Sequence, residues 1–323
     1  MVKIKDEIII NEDFKILVNN FSKKVSDQFF FSTDFFNYYS RSNFDFYFEL
    51  LQINNNKIRS VFPLYFYENN YYSPLKGTYS GVYCEEDLDL EVLENFIIKC
   101  ISYTRNKNSF ENIYVKLPPL IHDLTGVSKL LNIFLRHNFK IKNFEINHHL
   151  KVTNKKYEQF LSKGNLKKLK ISEKKYIIDE DNFSKIEELY NVLEINRKSK
   201  GNKLSINLDD LKNFTKKFIK NIKIFSVINN NAIIAAAYCI QLSKKILYVF
   251  YWGELPIFKS DSPVVYLSKC IYEYSKNKNI EIIDVGTSSV DNIPNHGLVR
   301  FKNRIGYKES LKINLEFNEN QKK

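Results

Sequence analysis

The stretch Ser262–Ser289, SPVVYLSKCIYEYSKNKNIEIIDVGTSS, decides how this chain is read. Ser262 before Pro263 is a helix start. Serine caps, and proline at the first helical position loses nothing, because that N–H would lack an intrahelical partner anyway. From Val264 to Lys278 the apolar residues keep helical spacing, and IEIIDVGT (280–287) follows as a short apolar strand. Working backwards, KILYVFYWGE (245–254) is a strand that ends on Tyr251, Trp252 and Gly253. KIFSVINNNAIIAAAYCIQL (223–242) is a hairpin turning on Asn229–Asn231.

The first half shows the same succession. FDFYFELLQI (44–53) and KIRSVFPLYFYEN (57–69) are strands joined through Asn54–Asn56. YYSPLKGTYSGVYC (71–84) is irregular, DLEVLENFIIKCISYTRNK (89–107) has helical period, and NIYVKLPP (112–119) is a strand stopped by two prolines. Ser32 or Thr33 starts a short helix through Tyr39. Residue identity hardly repeats, but the order of elements does. The chain therefore reads as two copies of one α/β unit, an N-terminal domain of 1–150 and a C-terminal domain of 151–323. The second begins with a helical segment. NKKYEQFLSKGNLKKLKISEKKY (154–176) reads as a basic helix pair broken at Gly164. DNFSKIEELYNVLEINRKSKG (181–201) is a helix ended by Gly201, and NLDDLKNFTKKFIKN (207–221) is another.

Composition narrows the partners. Lys and Arg number 49 against 37 acidic residues, a net charge of +12, with the densest run at 162–176. Such a balance draws anions: nucleic acid, acidic headgroups or nucleotide-linked substrates, unless it is simply a solvated lysine surface. Cys84, Cys100, Cys239 and Cys270 are far apart and each lies in an apolar context, which predicts buried free thiols in a reducing compartment. The start MVKIKDEIII is too short in apolar residues for a signal peptide, and no apolar run approaches the ~20 residues of a membrane span, so a cytoplasmic location is expected. No zinc spacing, Walker loop, dinucleotide fingerprint or nucleophile elbow occurs, and no metal site is expected; the adjacent His148 and His149 point to opposite faces of a strand and make a poor metal pair.

Five segments in order resemble the Fem peptidyltransferase-like superfamily of GNAT-fold acyltransferases. They are SKGNLKKLKISEKKY, YNVLEINRKSKGNKLS, the alanine-rich IIAAAYCIQLSKKILYVFYWG, the helix and Asp-x-Gly strand quoted first, and GLVRFKNRIGYKE (297–309). The resemblance implies an α/β (α+β) chain of two tandem GNAT-like domains, each a mixed, mainly antiparallel sheet flanked by helices. It implies transfer of an acyl or aminoacyl group onto an amine, usually of a cell-wall or surface-glycan precursor. No tightly bound cofactor is implied. The acyl donor is acyl-CoA or aminoacyl-tRNA, so tRNA is a candidate partner, and the acceptor is a small or nucleotide-linked molecule. GNAT acetyltransferases carry a glycine-rich loop before the long helix, whose N–H groups cradle pyrophosphate. Here the equivalent LPIFKSDSPV has no glycine and sets Asp261 beside the helix start.

The resemblance places Phe301 and Lys302 on the family's Phe-Lys pair. A cation held where negative charge develops on a tetrahedral centre lowers the barrier to acyl transfer, and Phe301 packs on the donor or fixes the lysine. Asp284, at the C-terminal end of its strand, takes a proton from the attacking ammonium or orients Lys302 or Arg300; the structural alternative is a carboxylate tied to its own loop. Gly286 permits close backbone approach, and Ser288 and Ser289 bind a phosphate or polar acceptor or merely form a turn. Tyr251, Trp252 and Gly253 line the gap where two strands part, or pack as core. Arg197, Lys198 and Lys200 form a phosphate clamp or simply complement a helix C-terminus. The lysines of 163–175 offer a contact for a tRNA backbone, and His296 is a candidate base.

Overall fold

The computed structural model describes residues 5–22 and 28–319, and the chain divides into two compact units, Met1–Ile146 with Ser310–Lys323 and Asn147–Glu309. In the first unit β1 (Asp6–Ile9), β2 (Phe14–Val18), α1 (Thr33–Tyr39), β3 (Phe46–Gln52), β4 (Lys57–Tyr67), β5 (Asn70–Ser73), β6 (Tyr83–Cys84), α2 (Leu90–Lys107), β7 (Asn112–Lys116) and α3 (Leu124–Arg136) follow in order, ahead of β8 (Lys140–Lys151). Local chemistry sets the helix starts. Ser32 Oγ accepts from the Phe35 N–H at 3.2 Å, Asp89 Oδ1 from Glu91 at 2.8 Å, and Asp123 Oδ1 from Gly126 at 2.8 Å. β3 and β4 pair antiparallel, β5 follows antiparallel on β4, and after α2 the strand β7 joins β5 in parallel. A parallel partner requires such a helical crossover.

The second unit holds α4 (Lys163–Lys175), β9 (Ile177–Glu180), α5 (Ile186–Lys198), α6 (Leu208–Lys217), β10 (Ile222–Asn229), β11 (Ala232–Ser243), β12 (Ile246–Glu254), α7 (Pro263–Asn277), β13 (Ile282–Thr287), β14 (Ser289–Val290), β15 (Ile293–Pro294) and α8 (His296–Arg304). It repeats the topology of the first: hairpin β10–β11, antiparallel β12, crossover α7, parallel β13. Asn230 and Asn231 take positive φ of 47° and 64°, the left-handed pair that a tight hairpin turn needs. Ala235, Ala236 and Ala237 are wholly buried, and α5 and α7 both pack on β11, where small side chains let helices approach. β16 (Lys308–Asn318) returns to the first unit and pairs antiparallel with β7, a return that a linear division into 1–150 and 151–323 does not include.

Each unit has its own apolar core. All four cysteines are buried and free. Two local expectations change. The break in the basic helical segment falls at Leu161 and Ser162, which are extended, and Gly164 sits inside the first turn of α4, where the backbone tolerates it. Ser262 does stand at the N-cap of α7 with proline next, but its φ is +55° and its side chain makes no capping bond.

Candidate functional site

β12 and β13 pair in parallel over only three positions, Ile246 with Ile282, Leu247 with Ile283 and Tyr248 with Asp284. β12 then runs on to Glu254 and β13 to Thr287 without further pairing between them. The pairing of β12 with β11 also slips there: Tyr238 opposes Tyr251 while Cys239 opposes Val249, so Phe250 is an extra residue. A bulge of this kind bends and twists its strand. The parting expected near Tyr251–Gly253 is thus present in the hydrogen-bond register.

At that parting sits Lys302. Asn295 caps α8 by accepting from Leu298 N–H at 3.0 Å, and α8 then turns Lys302 inward until it is 1% exposed. Its Nζ donates to three successive carbonyls of β13: Val285 at 3.0 Å, Gly286 at 2.9 Å and Thr287 at 3.2 Å. All three ammonium protons are therefore placed. Burial pushes the lysine down to about 7; Asp284 opposes that and Arg197 adds to it. The three carbonyls, which accept from the charged form, also favour it.

Asp284 is buried and its Oδ1 accepts from Gly286 N–H at 2.7 Å and Asn147 Nδ2 at 3.0 Å. Asp284 is thus tied to its own loop, and its charge also favours the ammonium of Lys302. Gly286 has φ +71°, a left-handed conformation that turns the end of β13, and a Cβ there would meet Tyr248 Oη at 3.4 Å. Ser288 and Ser289 are buried, and Ser288 Oγ lies 3.1 Å from His148 Nδ1.

His148 completes the cluster. It is wholly buried, with Nε2 3.9 Å from Glu309 Oε1. Burial, and then the Lys302 charge, push its pKa down to about 4, so the ring is neutral at pH 7. Both histidines of the strand are buried, and it is His148 that meets Ser288. Asn147, its neighbour, carries no sequence signal for its bond to Asp284, which depends on the pairing of β8 with β13.

On the β12 side, Tyr251 Oη accepts from Ser205 N–H at 3.0 Å, and the Arg197 guanidinium lies 5.6 Å from the Tyr251 ring centre. Trp252 packs against Phe301 and Tyr307, with ring centres 6.2 and 5.8 Å apart. Gly253 lets α5 dock: a Cβ there would stand 2.5 Å from Asn196 Cγ, and Asn196 Nδ2 donates to the Glu254 carbonyl at 2.7 Å. Arg300 does not join this group. It is exposed and, with His296, Val299 and Arg304, lines a surface hollow against Phe160 and Ser162.

The carboxylate at the start of α7 belongs to Glu254. Its Oε2 accepts the Val264 N–H at 3.1 Å. Asp261 turns away to Lys175 Nζ and Tyr176 Oη, both at 2.7 Å.

No family model matches the chain, and no curated sequence matches it significantly. Solved structures do share the fold. FemX is similar over 86% of this chain and 89% of its own, with a TM-score of 0.66 at 12% identity. L-PGS from Bacillus licheniformis covers 86% of each chain at a TM-score of 0.54 and 10% identity. A tandem GNAT protein from the clavulanic acid biosynthesis pathway covers 85% of this chain and 82% of its own, at 0.54 and 5%. The fold is that of a tandem GNAT, Fem-like α/β protein.

Proposed function

We propose that the chain is an acyl or aminoacyl transferase, acting in the cytoplasm on an amine of a cell-envelope or surface-glycan precursor. The observation that carries this reading is the parting of β12 and β13 just beyond Tyr248 and Asp284, with a buried ammonium at that point. The fold shared with FemX and L-PGS supports it. The acceptor amine attacks the donor carbonyl directly. A C–N bond forms, the C–O or C–S bond to the donor breaks, and the leaving oxygen or sulfur takes up the proton the amine gives up. Lys302 opposes the charge gathering on the carbonyl oxygen, chiefly through its field. A substrate oxygen that displaces the longest of its three contacts, Thr287 at 3.2 Å, takes a proton directly. Phe301, Trp252, Tyr251 and Gly253 line the donor side. Arg197, Ser288 and Ser289 serve a phosphate or polar group of the acceptor, while Asp284 and Gly286 hold the strand end that Lys302 grips. The donor is aminoacyl-tRNA or acyl-CoA.

A second reading, a binding module for an anionic precursor, is favoured by one observation: every proton of Lys302 is already on a backbone carbonyl. The test is product formation. Full-length protein is mixed with amine-bearing nucleotide-linked precursors and either charged tRNA or acyl-CoA, and new amides are read by mass spectrometry. One acyl or aminoacyl residue is expected on the acceptor, with turnover reduced at least ~100-fold in a folded Lys302→Met variant. Unchanged turnover in that variant removes Lys302 from the chemistry, and no amide with either donor leaves the binding module standing.

A further inference from the structure

A helix N-terminus ordinarily offers an anion its free N–H groups and the positive end of its dipole. At α7 those resources face inward. Pro263 has no N–H, Val264 donates to Glu254 at 3.1 Å, and Val265 donates back to the Ser262 carbonyl at 2.9 Å. Ser262 is buried in a left-handed conformation, so it too is fixed in place. Glu254 is half-buried, and Lys168, Lys200 and Lys259 bear on its carboxylate. Lys200 is itself fixed, with Nζ 3.0 Å from Asn196 Oδ1, and Asn196 holds the Glu254 backbone. The negative charge that this helix end accommodates is therefore supplied by the chain, and the charges of lysines on α4, in the turn after α5 and in the loop after β12 favour it.

We propose that Glu254 is a donor-specificity residue. Its carboxylate fills the place at the α7 N-terminus that the pyrophosphate of a coenzyme A thioester requires, and so restricts the protein to acyl donors that put no pyrophosphate there. The significance of this rests on the acyl-transfer reading, but the measurement is binding alone.

Coenzyme A is titrated at pH 8 into full-length wild-type protein, Glu254→Ala and Glu254→Gln, followed by calorimetry and by thermal stabilisation, with inorganic pyrophosphate as competitor. Wild type is expected to show no binding up to ~1 mM. Glu254→Ala is expected to bind at least about tenfold more tightly than wild type, with pyrophosphate competing. Micromolar binding by wild type overturns the proposal, as does a folded Glu254→Ala variant that gains nothing. Should that variant fail to fold, Glu254→Gln decides. It keeps the side chain in place but removes the charge, and about a threefold gain is expected; no gain overturns the proposal. A gain in coenzyme A binding alongside no amide from any donor upholds Glu254 and removes the transferase reading, so the two fail separately.

Discussion

His148 gives the site a pH signature that can be measured without a substrate. The ring is wholly buried, and burial together with the neighbouring Lys302 charge holds its pKa at about 4 against an ordinary value of 6.5. A basic group whose folded pKa lies below its unfolded one weakens the fold as pH drops, because the unfolded chain takes the proton first. At pH 7 both states leave His148 neutral and the effect is negligible. At pH 4.5 the unfolded ring is almost fully protonated while the folded ring is mostly not, which corresponds to a loss of about 2.5 kcal/mol. His148→Asn keeps an acceptor near the Nδ1 position for Ser288 Oγ and removes the titration. The assay is urea unfolding at pH 7.0 and 4.5, followed by the fluorescence of Trp252, the only tryptophan in the chain. It lies in β12, so the signal reports the second unit. Groups remote from His148 titrate alike in both proteins and cancel in the difference, while Glu309, 3.9 Å from the ring, belongs to the measured effect. The advantage of wild type over the variant should shrink by about 2.5 kcal/mol between the two pH values, a relative midpoint shift of roughly 1 M urea. A difference that stays constant within about 0.5 kcal/mol would show that the folded ring protonates as readily as the free one, and the enclosed His148–Lys302 cluster would be refuted.

Gly253→Ala should lower stability by about 1–3 kcal/mol, because its Cβ would stand 2.5 Å from Asn196 Cγ and force α5 away from β12; the same urea assay reads it, and an unchanged midpoint would mean that α5 is not docked there. Glu254 should show the opposite pH behaviour from His148. Burial pushes its carboxyl up to about 7, so the stability it contributes in the protonated form at low pH is lost as pH rises from 4.5 through 7. Relative to wild type, Glu254→Gln should therefore gain about 3 kcal/mol at pH 8 and only about 0.4 kcal/mol at pH 4.5, and equal differences at both pH values would contradict it.

Much of the fold was open to reading because its signals are local. The Asn230–Asn231 turn, the Ser32 cap and the crossover from Pro263 into Ile282–Thr287 each depend on residues close together in the chain. β16 was not read for the converse reason. Its alternation is clear, with Ile313, Leu315 and Phe317 buried between polar residues, but the strand it joins, β7, lies far back in the sequence and nothing local announces the pairing. α3 was passed over although Asp123 caps an amphipathic run, and β8 was obscured by its polar interruptions. In the site, the Phe-Lys pair and the Asp-x-Gly strand could be named from resemblance, but not what they touch. That Asp284 binds its own loop and that Lys302 serves three carbonyls are facts of register. Glu254 went unread as a ligand of α7 because its signal is spatial: a strand-end carboxylate ten positions before the Val264 N–H it meets.

Lys302 also bears on what a motif can prove. Where β13 ceases to pair with β12, its last carbonyls need donors, and a buried carbonyl left without one costs about 1–3 kcal/mol. Among side chains, lysine alone brings three donors on a single atom at the end of a long apolar stem. Methionine or leucine would fill the same volume without the expense of enclosing a charge, yet would take away the donor that Val285, Gly286 and Thr287 share. The parted sheet therefore asks for a lysine at this turn of α8 whether or not acyl transfer takes place. A charge that the fold needs for its own carbonyls also stands beside the point where β12 and β13 part. The Phe-Lys pair can then persist in a chain that has ceased to catalyse, so its presence is evidence for the geometry first. Arg300 makes the contrast: one turn face away on the same helix, it satisfies no carbonyl and sits in solvent. A folded Lys302→Met variant separates the two demands, because the structural requirement appears as lost stability and the chemical one as lost turnover at unchanged acceptor affinity.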